Sequence, residues 1–289
     1  MKRSILFLTI LINLNKLIFA QGAPANVSKV VDAEKNFNTL VEQKGIKGGF
    51  LEVADPDGIV FKPDIVKITD FYNNIAKQPG SLSWQPQLAR ISIAGDLAFT
   101  AGPYVYQNGA ADTDKVYGDY VSVWRSDPDG KLKLLIDLGI QHPEPETKLA
   151  TDFKSPDTAN RGMQSKDFFG GKKVIMSTDN SFNYSLSLST ISSYNEFLSP
   201  DGHYYFPGFD PISGRQNVMK FIANEAINIT AETTTGGRST SNDLAYTYGK
   251  ARIKKGEVVG NYYYVRIWEI DATKKWNILL EVFSAVENE

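Results

Sequence analysis

"ADPDGIVFKPD", at residues 54–64, and "LSPDGHYYFPG", at residues 198–208, share more than a turn. Pro56, Asp57, Gly58, Phe61 and Pro63 match Pro200, Asp201, Gly202, Tyr205 and Pro207, every pair 144 residues apart. Pro-Asp-Gly is a turn signature: proline presets φ, aspartate bonds to nearby backbone, and glycine accepts a positive φ. Such a turn recurs by accident, but a constant offset does not persist by accident. "YVSVW" at 120–124 returns as "YVRIW" at 264–268, again 144 apart. "LKLLIDL" from Leu132 returns as "WNILLEV" from Trp276 and aligns Asp137 with Glu281. "GDLAFTAG" from Gly95 matches "NDLAYTYG" from Asn242 at 147, and "EKNFN" from Glu34 matches "DNSFN" from Asp179 at 145. The blocks keep one order, and the period is far too long for a solenoid. The chain reads as one domain written twice: 26–141, a polar linker at 142–173 containing Pro143, Pro145 and Pro156, then 174–287.

Composition bounds the function. The 289 residues are 42% hydrophobic and 22% charged, which is globular. The net charge is −2 with the signs interspersed, so there is no electrostatic footprint for nucleic acid. Lys2 and Arg3 precede the apolar "ILFLTILINLNKLIF", and small residues follow at Ala20. This predicts a secretory signal peptide at 1–20, export to a periplasmic or extracellular space, and no membrane association after its removal. Cysteine is absent, which excludes disulfides and thiol chemistry.

The local pattern predicts an α+β domain, helices first and antiparallel strands after. In the first copy Val30, Ala33, Phe37, Leu40 and Val41 fall at helical spacing, with Gly45 as a stop. A second helix carries Phe50, Leu51 and Val53, and a third carries Ile65, Ile68 and Phe71. Strands are predicted at 82–93, 97–106, 117–126 and 132–138. On the last one, alternation sets Leu132, Leu134 and Ile136 against Lys133, Leu135 and Asp137.

This order, with "LSWQPQLARISIAGDLAFTAGPY" at 82–104, "YGDYVSVWR" at 117–125 and "DGKLKLLIDLG" at 129–139, resembles the nuclear transport factor 2-like superfamily, in its SnoaL-like and ketosteroid-isomerase-like branch. The resemblance covers 30–139 directly and 174–286 through the repeat. It implies two tandem cone-shaped α+β barrels, each with N-terminal helices on a curved antiparallel sheet and an apolar pocket at the open end. Members use that pocket for isomerases, dehydratases, cyclases, ligand binding or subunit pairing, so the fold does not settle the function. The second copy departs from the pattern. "ITAETTTGGRSTSND" at 229–243 replaces "LSWQPQLARISIAGD" at 82–96, and Trp84 falls on Ala231. The pocket is therefore expected in the first copy.

Asp137, on the last strand, is the candidate catalytic base: a carboxylate at the mouth of an apolar cone has a raised pKa. Its plain alternatives are a solvated strand end or an ion pair with Lys133. Trp84, Tyr104, Tyr120 and Trp124 are candidate ligand-binding residues, or else sheet core. His203 stands where the first copy has Ile59, and His142 follows the last strand. Two distant histidines and no cysteine argue against a transition-metal site, and no cofactor is predicted. The first reading is an exported protein that binds a small, mostly apolar molecule in the first domain. The alternatives are a cofactor-independent isomerase or lyase, with Asp137 as base and Tyr104 or Tyr120 as oxyanion donor, and a structural module whose sheets pair face to face. The partners expected are a small-molecule ligand, the two domains for each other as a pseudo-dimer, and further copies of the chain.

Overall fold

The computed structural model describes residues 24–62, 64–145, 150–157 and 168–286; the predicted signal segment and part of the linker lie outside them. Helix α1 (Ser28–Val53) buries Val30, Val31, Glu34, Phe37 and Val41 along one stripe. Gly45 interrupts it at φ 74, ψ 168. That conformation costs glycine little, and it turns the second arm so that Ile46, Phe50 and Val53 are buried as well.

The first domain continues through β1 (Ala54–Phe61), β2 (Ile65–Lys67), α2 (Ile68–Asn74), β3 (Ser81–Trp84), β4 (Leu88–Ile91), β5 (Leu97–Gln107), β6 (Lys115–Ser126), β7 (Leu132–Gln141) and β8 (Asp152–Lys154). The sheet order is β2-β1-β7-β6-β5-β4-β8, with β3 also on β5. The predicted strand 82–93 is split between β3 and β4 around Pro86, which has no N–H to give a ladder. Ile65 lies in β2, ahead of the helix predicted to hold it. The pair β1–β7 is parallel within an otherwise largely antiparallel sheet. Part of the predicted linker serves as an edge strand, because β8 pairs parallel with β4.

The second domain comprises α3 (Phe168–Leu188), α4 (Thr190–Phe197), β9 (Leu198–Tyr205), β10 (Ile212–Ser213), α5 (Arg215–Asn224), β11 (Ile227–Arg238), β12 (Leu244–Lys255), β13 (Val258–Ile270) and β14 (Trp276–Ala285). Helix α3 begins inside the predicted linker. The sheet order β10-β9-β14-β13-β12-β11 repeats that of the first domain. The repeat extends to the irregularities. Where α1 bends at Gly45, the second copy has Ser189, in extended backbone, whose side chain accepts the Ser192 amide and caps α4.

The last hairpin carries a β-bulge in both copies. Val123 faces Ile136 and Trp124 faces Leu134, which leaves Leu135 unpaired. Ile267 faces Leu280 and Trp268 faces Ile278, which leaves Leu279 unpaired. The extra residue flips the alternation beyond it and corrects the predicted faces of β7. Leu134 packs with the helices, and Asp137 faces the same side. Leu135 and Ile136 both lie on the opposite face.

That opposite face is where the two sheets meet. Val121, Val123 and Ile136 pack in one cluster with Val265, Ile267 and Leu280. The contact is reciprocal: the Ile93 amide donates to Asp243 Oδ2 at 2.7 Å, and the equivalent Thr240 amide donates to Asp96 Oδ2 at 2.8 Å. Each aspartate is held by the serine four residues before it, Ser92 or Ser239, at 2.8 Å. No helix among the described residues is long and apolar enough to cross a membrane.

Candidate functional site

The helix-facing side of the first sheet encloses a cavity of about 310 Å³, near the lower end of the range of small-molecule sites. Phe37 and Phe50 from α1 and Tyr72 from α2 form one wall, and Trp84, Tyr104 and Tyr120 from the strands form the other. The exposed residues Lys62, Gly139 and Gln141 mark its mouth. Tyr104 takes its place because Gly118 and Gly139 have no side chains: a Cβ on Gly118 would stand 2.7 Å from the Tyr104 ring, and one on Gly139 3.1 Å away.

Asp137 lines this cavity. Ser122, its cross-strand partner, donates to Oδ2 at 3.0 Å. The carboxyl is only partly covered by protein because the rest of it faces the cavity. Burial pushes its pKa up to about 6, against the lowering effects of the Ser122 hydrogen bond and of the Lys62 charge. The pairing with Lys133 considered above does not form, since that ammonium donates to the Glu52 carbonyl on the surface.

A second carboxyl lies behind the wall, and the sequence reading did not single it out. Glu34 is fully buried on α1. Trp84 Nε1 donates to its Oε1 at 2.6 Å, while Thr100 Oγ1 at 2.5 Å and Trp124 Nε1 at 2.9 Å donate to Oε2. Burial outweighs these donors and, helped by the charge of Asp137, pushes the pKa up to about 7. The available signal was the "EKNFN"/"DNSFN" pair, which sets an acid on the apolar stripe of the first helix in both copies.

Of the predicted ligand-binding residues, Trp84, Tyr104 and Tyr120 line the cavity. Trp124 does not; its indole anchors Glu34. The Tyr120 hydroxyl is buried and has no hydrogen-bond partner. Thr100 lies beside it: that hydroxyl gives its proton to Glu34, and its oxygen is still able to accept from Tyr120. Burial and then the charge of Glu34 hold the Tyr120 phenol well above its usual pKa, so it remains a donor.

Larger side chains stand at several of the equivalent positions in the second domain. Lys62, Gly118 and Gly139 correspond, at 144, to Phe206, Tyr262 and Phe283. These aromatics pack together, with Phe206 5.6 Å from Tyr262 and 6.1 Å from Phe283 between ring centroids. Ser122 corresponds to Arg266, which is fully buried. Its Nε bonds Glu281 at 2.6 Å, and one terminal nitrogen bonds Asp179 and Asn183, each at 2.7 Å. Its guanidinium lies 3.8 Å from the Tyr264 ring centroid and 4.5 Å from that of Phe182. A wider depression of about 540 Å³ lies over β11–β13; Ala231, Ala251 and Tyr262, the counterparts of Trp84, Tyr104 and Gly118, line it, and polar residues such as Thr230, Lys250, Arg252 and Asn261 make up much of the rest.

The histidines lie elsewhere. His142 bonds Asp119 and the Pro143 carbonyl, both at 2.7 Å. Burial opposes its charge, but these bonds and the nearby Asp119 and Asp210 raise its pKa overall. His203 bonds Ser213, and burial, with Arg90 nearby, pushes its pKa down to about 4. Among the described residues, no three His, Asp or Glu side chains converge as metal ligands.

No protein-family model matches the chain, and no curated protein does. Solved structures with a similar fold include a ketosteroid isomerase-like protein from Erwinia carotovora atroseptica, 16% identical, covering 42% of this chain and 100% of that one, at a TM-score of 0.37. An NTF2-like protein from Cytophaga hutchinsonii is 13% identical and covers 39% of this chain and 96% of its own, at 0.34. An NTF2-like protein with a cystatin-like fold from Novosphingobium aromaticivorans is 11% identical and covers 44% and 94%, at 0.35.

Proposed function

We propose that the first domain binds a small, mostly apolar molecule in its cavity and that the second domain supports it. One observation carries this reading: one copy has an aromatic-walled cavity lined by Asp137, Tyr104 and Tyr120, while at the positions of Ser122, Gly118 and Gly139 the other copy carries Arg266, Tyr262 and Phe283. Aromatic walls supply affinity for an apolar body, and a few polar groups orient it. The test is a thermal-shift screen against a metabolite library, followed by titration of each hit against Trp84→Ala. Removing that indole should weaken binding by ~1–3 kcal/mol. Unchanged affinity in a folded variant would show that the ligand sits elsewhere.

A second reading is proton abstraction from a carbon acid. The position of Asp137 favours it: a carboxylate with a pKa of about 6 is ionised at neutral pH yet more basic than an ordinary aspartate. Tyr104 and Tyr120, which both line the cavity, are the candidate donors to a developing oxyanion. Asp137→Asn separates the readings, because a general base should cost about 10²-fold or more in rate when removed, whereas binding of a neutral ligand should change little.

A further inference from the structure

We infer that the ligand of the first domain carries a cationic group, such as an amidinium, guanidinium or amine, which sits beside Asp137 where the second domain holds its own Arg266. This rests on the reading of the cavity as a binding site and specifies what it takes. The two copies share a register, so their side chains correspond one to one. Phe182 and Tyr264, the rings against the Arg266 guanidinium, correspond to Phe37 and Tyr120, which line the open cavity. Glu281, which binds Arg266 Nε, corresponds to Asp137.

What changed between the copies is the supply of donors. Glu281 receives Arg266 and the Tyr194 hydroxyl. At the matching positions the first domain has Ser122 and Phe50, and Phe50 has nothing to donate. Asp137 is left with the Ser122 hydroxyl on one oxygen and no partner among the described residues on the other. The acid on the helix was treated differently. Glu34 keeps its threonine donor, and the Trp84 indole supplies a donor where Asp179 has Arg266. The unmet demand is thus local to Asp137. The only cation among the described lining residues is Lys62, which is exposed at the mouth. A carboxylate in such surroundings favours a paired cation, and the Tyr120 face adds cation–π attraction.

The test uses the full chain and three probes of nearly one shape: benzamidine, neutral benzamide and anionic benzoate. Tryptophan fluorescence or calorimetry at about pH 8, above the raised carboxyl values, reads the affinities. Benzamidine should bind more tightly than benzamide by about tenfold or more, the worth of a charge-assisted hydrogen bond, and benzoate should bind weakest. Asp137→Asn should bring benzamidine down to the level of benzamide. Ser122→Arg, which supplies the cation from the chain itself, should abolish benzamidine binding. If Ser122→Arg does not fold, Asp137→Asn decides alone. If benzamide binds as well as benzamidine, or if the preference survives Asp137→Asn, the cation inference is overturned and the binding site stands. If none of the probes binds at millimolar concentration, while library hits bind independently of Trp84, the site itself is wrong and the inference falls with it.

Discussion

Asp96 and Asp243 are counterparts, and each holds the backbone of the other's domain: Asp243 takes the Ile93 amide and Asp96 the Thr240 amide. The exchange is that of an isologous interface, in which one patch meets itself across a twofold axis. The two contacts differ in depth. Ile93 is buried and Thr240 is exposed. Asp243→Ala should therefore cost about 1–3 kcal/mol, the penalty for a buried donor left unpaired, while the Thr240 amide freed by Asp96→Ala can turn to water and should cost less. Urea unfolding of the two variants checks the order.

Arg266 neutralises Asp179 and Glu281 in an interior with no exposure at all. Arg266→Met keeps much of the volume but strands two carboxyls, and should lose about 3–5 kcal/mol. Adding Glu281→Gln should recover part of that loss. A double variant no more stable than the single one would show that the arginine acts by packing on Phe182 and Tyr264 rather than by charge.

Glu34 gives the stability a pH dependence of defined sign. Its pKa is raised from 4.5 to about 7 in the folded state. Between these values the native protein holds a proton that the unfolded chain releases, so stability is full below about pH 4.5 and declines as pH rises through about 7. Asp137, raised from 3.8 to about 6, adds a fall of the same sign at lower pH. The Glu34 contribution is of order 3 kcal/mol by linkage. Unfolding midpoints from pH 5 to 8 should fall less steeply in Glu34→Gln than in the parent, and parallel slopes would place the titration elsewhere.

Closing the cavity can be copied from the second domain. Tyr104 and Gly139 correspond to Ala251 and Phe283. The double variant Tyr104→Ala, Gly139→Phe moves the aromatic ring from one strand to the other, as the second copy does. Single Gly139→Phe should be worse tolerated, because its Cβ would crowd the Tyr104 ring at 3.1 Å. The double variant should retain the fold, by near-UV circular dichroism and unfolding midpoint, and should lose ligand.

The repeat was legible because it is written in offsets, and "YVSVW" and "YVRIW" need no structure to be aligned. The bulge at Leu135 was not legible. Leu134, Leu135 and Ile136 are all apolar, so an inserted residue leaves no mark on the hydrophobic pattern, although it reverses every side chain beyond it. Plain alternation therefore puts Asp137 on the face of Leu135, and the structure separates the two. Glu34 was hidden for another reason. A lone acid on a helix reads as solvent-facing until the indoles of Trp84 and Trp124, distant in the chain, are seen to meet it. The divergence of the pockets was read from Trp84 and Ala231. The stronger marks are Ser122 against Arg266, inside an aligned block, and Gly139 against Phe283, one residue past another, and their meaning depends on knowing which face they share.

The face-to-face packing of the sheets also bears on how the protein can change. In a dimer of identical subunits, any substitution appears on both sides of the axis at once, and a residue that plugs one pocket plugs both. Here the partners are consecutive stretches of one chain, so Phe283 can arise without disturbing Gly139. The tether also keeps each half at a high local concentration around the other that dilution does not lower. Under the reading proposed above, each chain would hold one ligand, with an occupancy independent of protein concentration, and the half freed from binding is free to be optimised for rigidity.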